Sequence, residues 1–470
     1  MSSPDPQASY PPSGCEGVDD RQLIPVRHGQ RQEANWAERK LHFVGIGGAG
    51  MSGLALIAQR LGASVSGSDS AEGAYTELLR EHGIEPLIGH RAEHLPVGAE
   101  LVYSSAVAPG NPEREQARSN GAGELHRSEL LAQIAALKRC LAVCGAAGKT
   151  TTSAMLVHIL RACGMDPAYA VGAQLRDTGL NAGWGDGEWI VVEADESDRS
   201  FLNYSPEIVV FTNCELDHHA TYRSRLELEA AFAEFTARAR TAVVWDRPEL
   251  LAIASGAGQV IPYEAWEASL RPSGASFSWD GQLVELEVPG LHNAVNAAGA
   301  LTAARAAGTD PVQAAAAIGS FSGAKRRLER IGQSASGALV YDDYAHHPTK
   351  VAAAIAAARS LQPARLIVAF QPHLYSRTQA LVTDFGAALA TADLVVVSDI
   401  YPARERAADF PGVDGHLVAA AVADRGGAEV AWMPTLADVE AFLNSTLRGG
   451  DICLLMGAGN INSLAAALVD

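Results

Sequence analysis

The sequence predicts an α/β protein in three domains: a Rossmann-like first domain, a central α/β domain of P-loop ATPase type, and a Rossmann-like third domain. Three observations predict it. Short apolar runs alternate with helical patterns along the chain. The runs end repeatedly in glycine loops or polar clusters, where open α/β sheets hold their ligands. Two of those loops carry glycine patterns suited to phosphate. The expected division is a disordered extension over 1–38, then domains over 39–138, 139–322 and 323–470.

In the first domain, residues 41–44 read as a buried strand, followed by the glycine loop 45–50 and a helix over 51–61. The next strand, 64–68, ends at Asp69, 19 positions after the last glycine. This is a GxGxxG fingerprint, whose glycines permit a tight turn and close approach of backbone to a diphosphate. Alone it points to NAD, against the blander reading of a doubly-wound turn without a ligand. A helix over 75–82, a strand over 101–105 and helices over 112–119 and 128–137 continue the rhythm.

The second domain opens on an apolar run, 141–143, leading into Cys144-Gly145-Ala146-Ala147-Gly148-Lys149-Thr150-Thr151-Thr152. Backbone N–H groups of such a loop and of the helix start behind it point at an anion. Lys149 can reach terminal phosphates, and the Thr150 hydroxyl can hold Mg²⁺. The loop is shorter than a full P-loop, which needs glycine where Val143 stands. A strand over 189–192 leads to Glu193-Ala194-Asp195-Glu196-Ser197-Asp198, and one over 208–211 leads to Thr212-Asn213-Cys214-Glu215-Leu216-Asp217-His218-His219. A carboxylate beside a hydroxyl suits Mg²⁺, which prefers oxygen ligands, so Glu193 and Thr150 form a metal hypothesis. After a helix over 225–239, a strand over 242–245 and a β-like stretch over 277–288, the polar residues His292, Asn293 and Asn296 open an Ala-rich helix. They either cap that helix or contact a base or ribose.

The third domain starts near Lys325-Arg326-Arg327. Strands over 339–341, 366–370, 394–397 and 453–456 again run into polar clusters, notably Asp342-Asp343-Tyr344-Ala345-His346-His347-Pro348 and Gln371-Pro372-His373-Leu374-Tyr375-Ser376-Arg377-Thr378. A third parallel sheet with helices on both faces is expected.

Composition excludes several classes. The net charge of −18 argues against a nucleic-acid scaffold and shows no basic membrane patch. No apolar run is long enough to span a bilayer, and residues 1–36 lack the apolar core of a secretory signal. The cysteines Cys15, Cys140, Cys144, Cys163, Cys214 and Cys453 include no CxxC pair, which suits buried, reduced thiols in a cytoplasm.

Taken together, the loop 45–53 with Ser66-Gly67-Ser68-Asp69, the GKTTT loop, the stretch 193–198, Asp343-Tyr344 with His346-His347-Pro348, and the stretch 370–378 resemble the Mur ligases. Within that family the likeness is to the branch that joins L-alanine to UDP-N-acetylmuramate. It covers nearly everything from Leu41 to the C-terminus. The resemblance implies that the first domain holds the UDP-sugar rather than NAD, with Gly47 and Gly48 facing the diphosphate and Asp69, Ser104 and Ser105 contacting the substrate. It implies ATP on Gly145, Ala146, Ala147, Gly148, Lys149, Thr150 and Thr151, with His292, Asn293, Asn296 and Arg327 as further nucleotide contacts. Thr150, Glu193 and His218 would hold two magnesium ions. Tyr344, His346, His373 and Arg377 would form the amino-acid end, with Lys149, Glu193, His218, His346 and Arg377 as the catalytic set. The implied reaction is attack of the sugar's carboxylate on ATP, then of the amine of L-alanine on the acyl phosphate, in a cytoplasmic monomer or homodimer.

The chain departs from the family pattern in three places. Ala146 and Ala147 replace the usual Thr-His, Ala220 stands where a second Asp is common, and Leu374 stands where Arg is common, which leaves Arg377 nearer the alanine carboxylate. No lysine lies between His218 and Ala239, which fits the branch without a carbamylated lysine. Three other readings compete: a tripeptide-recycling ligase, an NAD-dependent oxidoreductase, and a nucleotide-binding module without catalysis.

Overall fold

A computed structural model describes residues 35–216, 221–271, 274–403 and 405–469. The first sheet is wholly parallel, built from β1 (Lys40–Val44), β2 (Ser64–Asp69), β3 (Leu87–Ile88), β4 (Glu100–Tyr103) and β5 (Glu124–His126) in the order β3-β2-β1-β4-β5. The order reverses beside β1, so the crevice beyond its C-terminal end is a topological switch point, and the loop 45–50 lies there. The helix Ala49–Arg60 packs on the sheet through Leu54, Ala55, Ile57 and Ala58. Gly67 is required by packing, because a Cβ there would lie 2.5 Å from the Phe43 carbonyl oxygen and 2.7 Å from Ile46.

Beneath this sheet lies a polar node that periodicity does not reveal. Glu113, in the first turn of the helix Pro112–Ser119, is fully buried. Its carboxylate meets His42 Nε2 at 2.7 Å, accepts from Ser68 Oγ at 2.7 Å and from the Arg91 N–H at 3.2 Å, and lies 3.3 Å from His90 Nδ1. Burial pushes this carboxyl up, but the bonds from His42 and Ser68 outweigh it and hold the group below its usual range.

The second sheet comprises β6 (Arg139–Cys144), β7 (Ala168–Ala170), β8 (Ala182–Gly183), β9 (Trp189–Ala194), β10 (Ile208–Phe211), β11 (Thr241–Trp245) and β12 (Gln259–Tyr263), ordered β12-β11-β10-β6-β9-β7-β8. Strands β6, β9 and β10 are buried almost throughout, which accounts for their unbroken apolar runs. The helix Leu291–Ala307 is buried nearly all round, so alanine is favoured where helices approach closely.

The β-like stretch expected over 277–288 resolves into part of a separate antiparallel sheet, β13 (Trp266–Arg271), β14 (Gly274–Trp279) and β15 (Gln282–Leu286). Asp280 and Gly281 both have positive φ between β14 and β15, as a two-residue hairpin turn requires.

The third sheet, β16 (Glu329–Gln333), β17 (Leu339–Asp343), β18 (Leu366–Phe370), β19 (Leu394–Val397), β20 (Glu429–Trp432) and β21 (Ile452–Met456), is ordered β16-β17-β21-β18-β19-β20. It is not wholly parallel as expected: β16 pairs antiparallel with β17. The chain enters this sheet along an edge and turns straight back, so no crossover helix intervenes. Among the described residues no helix is long and apolar enough to cross a membrane.

Candidate functional site

Three adjacent strands of the second sheet deliver the phosphate loop and its surroundings. Strand β6 ends in the loop, β9 ends at Glu193 and Ala194, and β10 ends just before Thr212 and Asn213. Helix formation begins at Lys149, so the first-turn amides of Lys149, Thr150 and Thr151 face the loop without partners inside the helix. Gly145 (φ +124°) and Gly148 (φ +84°) lie where only glycine sits easily. A Cβ on Gly145 would overlap the Thr212 hydroxyl, and one on Gly148 would lie 2.6 Å from Asn296 Oδ1.

Asn296, expected as a nucleotide contact, therefore abuts the loop. Asn293 instead donates to the Pro289 carbonyl at 2.7 Å, which ties the helix start to the preceding loop without capping a helix N–H, and His292 is exposed beside Gly290.

The alanine at 147 does not loosen the loop, because its anchors are main-chain. The Ala147 N–H donates to Asn213 Oδ1 at 2.9 Å. The Ala147 carbonyl accepts from Thr212 Oγ1 at 2.6 Å and from Asn213 Nδ2 at 2.9 Å.

Lys149 Nζ donates to the Gly145 carbonyl and to Glu196 Oε2, both at 2.7 Å. Burial pushes the ammonium down, but the charges of Glu196 and Asp195 more than reverse it, so the group is held above its usual range. Thr150 Oγ1 donates to Glu193 Oε2 at 3.1 Å, and Glu193 Oε1 accepts from the Gly172 N–H at 2.5 Å. Burial lifts the Glu193 carboxyl above its usual range against the pull of Gly172, Arg327 and Lys149. A carboxylate raised in this way beside a hydroxyl gains from a cation, so this oxygen pair fits a magnesium ion completed by phosphate oxygens. His218 and Ala220 lie outside the described residues, and no group of three or more His, Cys, Asp or Glu side chains suited to a metal occurs among the described ones.

Arg327, just after the second sheet's last contacts, reaches back to donate from Nη2 to Thr150 Oγ1 at 2.9 Å. Lys325 donates to Gln174 Oε1 at 2.6 Å and Arg176 pairs with Glu329 at 3.5 Å, which ties the same connection to the second sheet.

In the third sheet, the ends of β17 and β18 flank β21 and bring four expected residues together. Tyr344 and His346 meet edge to face at 5.2 Å, and His346 and His373 lie 6.0 Å apart between ring centroids. Arg377 Nη1 lies 3.3 Å from His373 Nδ1. Leu374 is buried with φ +71°, which turns the chain so that the helix Tyr375–Leu389 can start there and aim Arg377 inward.

In the first sheet, Asp69 Oδ2 accepts from the Gly47 N–H at 2.8 Å and stabilises the glycine loop itself. The Ser104 carbonyl closes a turn with the Val107 N–H at 3.0 Å. Ser105 Oγ donates to Asp198 Oδ2 at 2.9 Å and so joins the first sheet to the acidic loop after β9. The sequence reading passed over Glu196, Thr212 and Asn213 as individual contributors, and Arg127 altogether. Only their positions just after apolar strands, or at a helix start, hinted at them. The five described cysteines are free, and burial pushes the Cys140 and Cys453 thiols up to about 12, which disfavours the thiolate at those two positions.

A phosphate-type glycine loop at the end of one sheet, with the neighbouring acidic loop bonded to Ser105 of a second and Thr150 bonded to Arg327 at the entry to a third, defines a multi-sheet α/β nucleotide-phosphate protein. The chain belongs to the Mur ligase family. Matches cover the Mur ligase family catalytic domain over residues 40–139, the Mur ligase middle domain over 143–304, and the Mur ligase glutamate ligase domain over 326–459. It is 41% identical over 457 residues to the UDP-N-acetylmuramate–L-alanine ligase of Streptomyces griseus, covering 92% of this chain and 97% of that one. The enzyme of the same name from Gloeobacter violaceus is 42% identical over 441 residues, covering 91% and 95%. The crystal structure of the UDP-N-acetylmuramate–alanine ligase of Thermotoga maritima superposes with TM-score 0.80 at 27% identity, covering 91% of this chain and 98% of that one. A murein peptide ligase from Psychrobacter arcticus shares the fold at TM-score 0.69 and 24% identity, covering 92% and 98%.

Proposed function

We propose that this chain joins L-alanine to the lactyl carboxylate of UDP-N-acetylmuramate with ATP as the energy source, releasing ADP and phosphate, in the synthesis of peptidoglycan precursors. The single observation that carries this reading is the convergence at Thr150. The loop that cradles phosphate, the carboxylate of Glu193 and the guanidinium of Arg327 meet at that one hydroxyl. The three sheets then serve as the UDP-sugar, ATP and amino-acid domains of a cytoplasmic enzyme working as a monomer or homodimer.

The chemistry needs position and charge more than a covalent nucleophile. Loop amides and Lys149 hold the terminal phosphates while the sugar's carboxylate approaches the γ-phosphorus. Thr150 and Glu193, with His218, are the residues to hold magnesium, which would neutralise phosphate charge when bound. Arg327 and Asn296 steady the nucleotide. His346, His373 and Arg377 bind and orient alanine, whose amine then displaces phosphate from the acyl group.

The test is phosphate release from ATP with Mg²⁺ and UDP-N-acetylmuramate, with and without L-alanine. Release that depends on alanine, with a product of the expected mass, is the expected result. Faster turnover with a tripeptide would point to recycling, and ATP binding without release to a non-catalytic module.

A further inference from the structure

Arg127 begins the helix Arg127–Ala135. A methyl group built on Gly50, at the end of the first glycine loop, would lie 3.4 Å from Arg127 Nη1. On its other side Arg127 Nη2 lies 3.8 Å from Asp195 Oδ2. That distance is an ion pair without a hydrogen bond, and among the described residues no hydrogen bond occupies the guanidinium N–H groups. The side chain is a quarter exposed. One residue beyond Asp195, Glu196 holds Lys149. Arg127 thus stands between the loop that would take a diphosphate and the lysine that would take the γ-phosphate.

The electrostatics make a cation here necessary. The end of β9 and the loop after it carry Glu193, Asp195, Glu196 and Asp198. A substrate carboxylate moving towards the phosphate loop meets that acidic run, and like charges repel. Lys149 is engaged with Glu196, and Arg199 is turned over the Tyr222 ring. Arg127 keeps a planar fork of donors suited to bidentate capture of a carboxylate.

We infer that Arg127 recognises the lactyl carboxylate of the sugar nucleotide and steers it past the acidic loop to the γ-phosphate. The inference rests on the ligase reading above. It gives Arg127 the task of distinguishing an acidic sugar from its neutral counterpart, while the loop amides serve the diphosphate common to both.

The test compares UDP-N-acetylmuramate with UDP-N-acetylglucosamine, which lacks the lactyl carboxylate, by calorimetry on the full chain with Mg²⁺ and a non-hydrolysable ATP analogue. Arg127→Gln should weaken the acidic ligand by roughly 10- to 100-fold, the usual worth of charge-assisted hydrogen bonds, and change the neutral one by less than about twofold. Arg127→Lys, which keeps the charge and loses the fork, should fall between. In turnover, KM for the sugar nucleotide should rise while KM for ATP stays unchanged. Equal weakening of both ligands, or of neither, overturns the inference, and binding of the neutral sugar by the variant shows that the fold is intact. If the wild-type protein binds UDP-N-acetylmuramate but releases no alanine-dependent phosphate, the ligase reading falls while carboxylate recognition is still decided by the two ligands.

Discussion

Replacing Glu113 by Gln should destabilise the first sheet by about 3 kcal/mol. The side chain is fully buried, and its oxygens take donors from His42, Ser68 and the Arg91 N–H. Hydrogen bonds to a charged group contribute about 1.5–3 kcal/mol each. Glutamine keeps the shape and one acceptor but presents an NH₂ group to a site already crowded with donors, so two such bonds should be lost, each near the lower end of that range. The assay is hydrogen exchange at the β1 and β2 amides, which reports this sheet even if the sheets unfold separately. The effect has a defined pH dependence. Because the folded carboxyl is held below its ordinary 4.5, its contribution is complete at neutral pH and lost as pH falls through the lowered folded value. The gap between wild type and variant should therefore be constant from pH 8 to 5 and close only in more acidic solution. A difference under about 0.5 kcal/mol at pH 7 would refute the claim that this node holds the sheet.

Gly148→Ala should weaken ATP binding about tenfold or more with little change in the far-ultraviolet circular dichroism, because it adds left-handed strain of roughly 1–3 kcal/mol and a contact with Asn296 at the loop itself. Unchanged nucleotide affinity by calorimetry would show that the loop relaxes freely. In the third sheet, burial pushes Asp342 up to about 6, against the pull of Arg326, and its Oδ1 has no partner among the described residues. The folded form thus binds its proton more tightly than the unfolded chain, so this residue subtracts stability as pH rises from about 4 to about 6. Asp342→Asn should remove up to about 3 kcal/mol of that loss, read as a smaller difference between urea midpoints at pH 4 and pH 7.5. Parallel pH profiles for the two proteins would contradict it.

Elements buried on both faces were legible from the sequence because the apolar run itself is the signal. Ile208–Phe211, Leu366–Phe370 and Leu394–Val397 fall where expected. The antiparallel β13–β15 sheet was blurred because its outer face is mixed, with Trp266 and Leu283 exposed, although Asp280-Gly281 is a strong hairpin signal. Strand β16 was invisible: its side chains are exposed or half-buried, so no apolar pattern marks it. In the site, the glycines and Lys149 announced themselves through spacing. Glu113 and Arg127 did not, because an acid after proline and an arginine at a helix start are ordinary surface residues until the tertiary fold closes over them. Asn293 shows the converse, since an amide at a helix start satisfied a local carbonyl.

Anchoring the phosphate loop through main-chain atoms divides its vocabulary into two kinds of letter. At 145 and 148 the spelling is dictated by the space the backbone leaves. At 147 another small residue would read the same, because Thr212 and Asn213 grip its main-chain N–H and carbonyl rather than its side chain. That position can drift without the fold registering it. The structural burden moves some 66 residues downstream, so a lesion at Asn213 would present as a broken phosphate loop whose own residues are all intact.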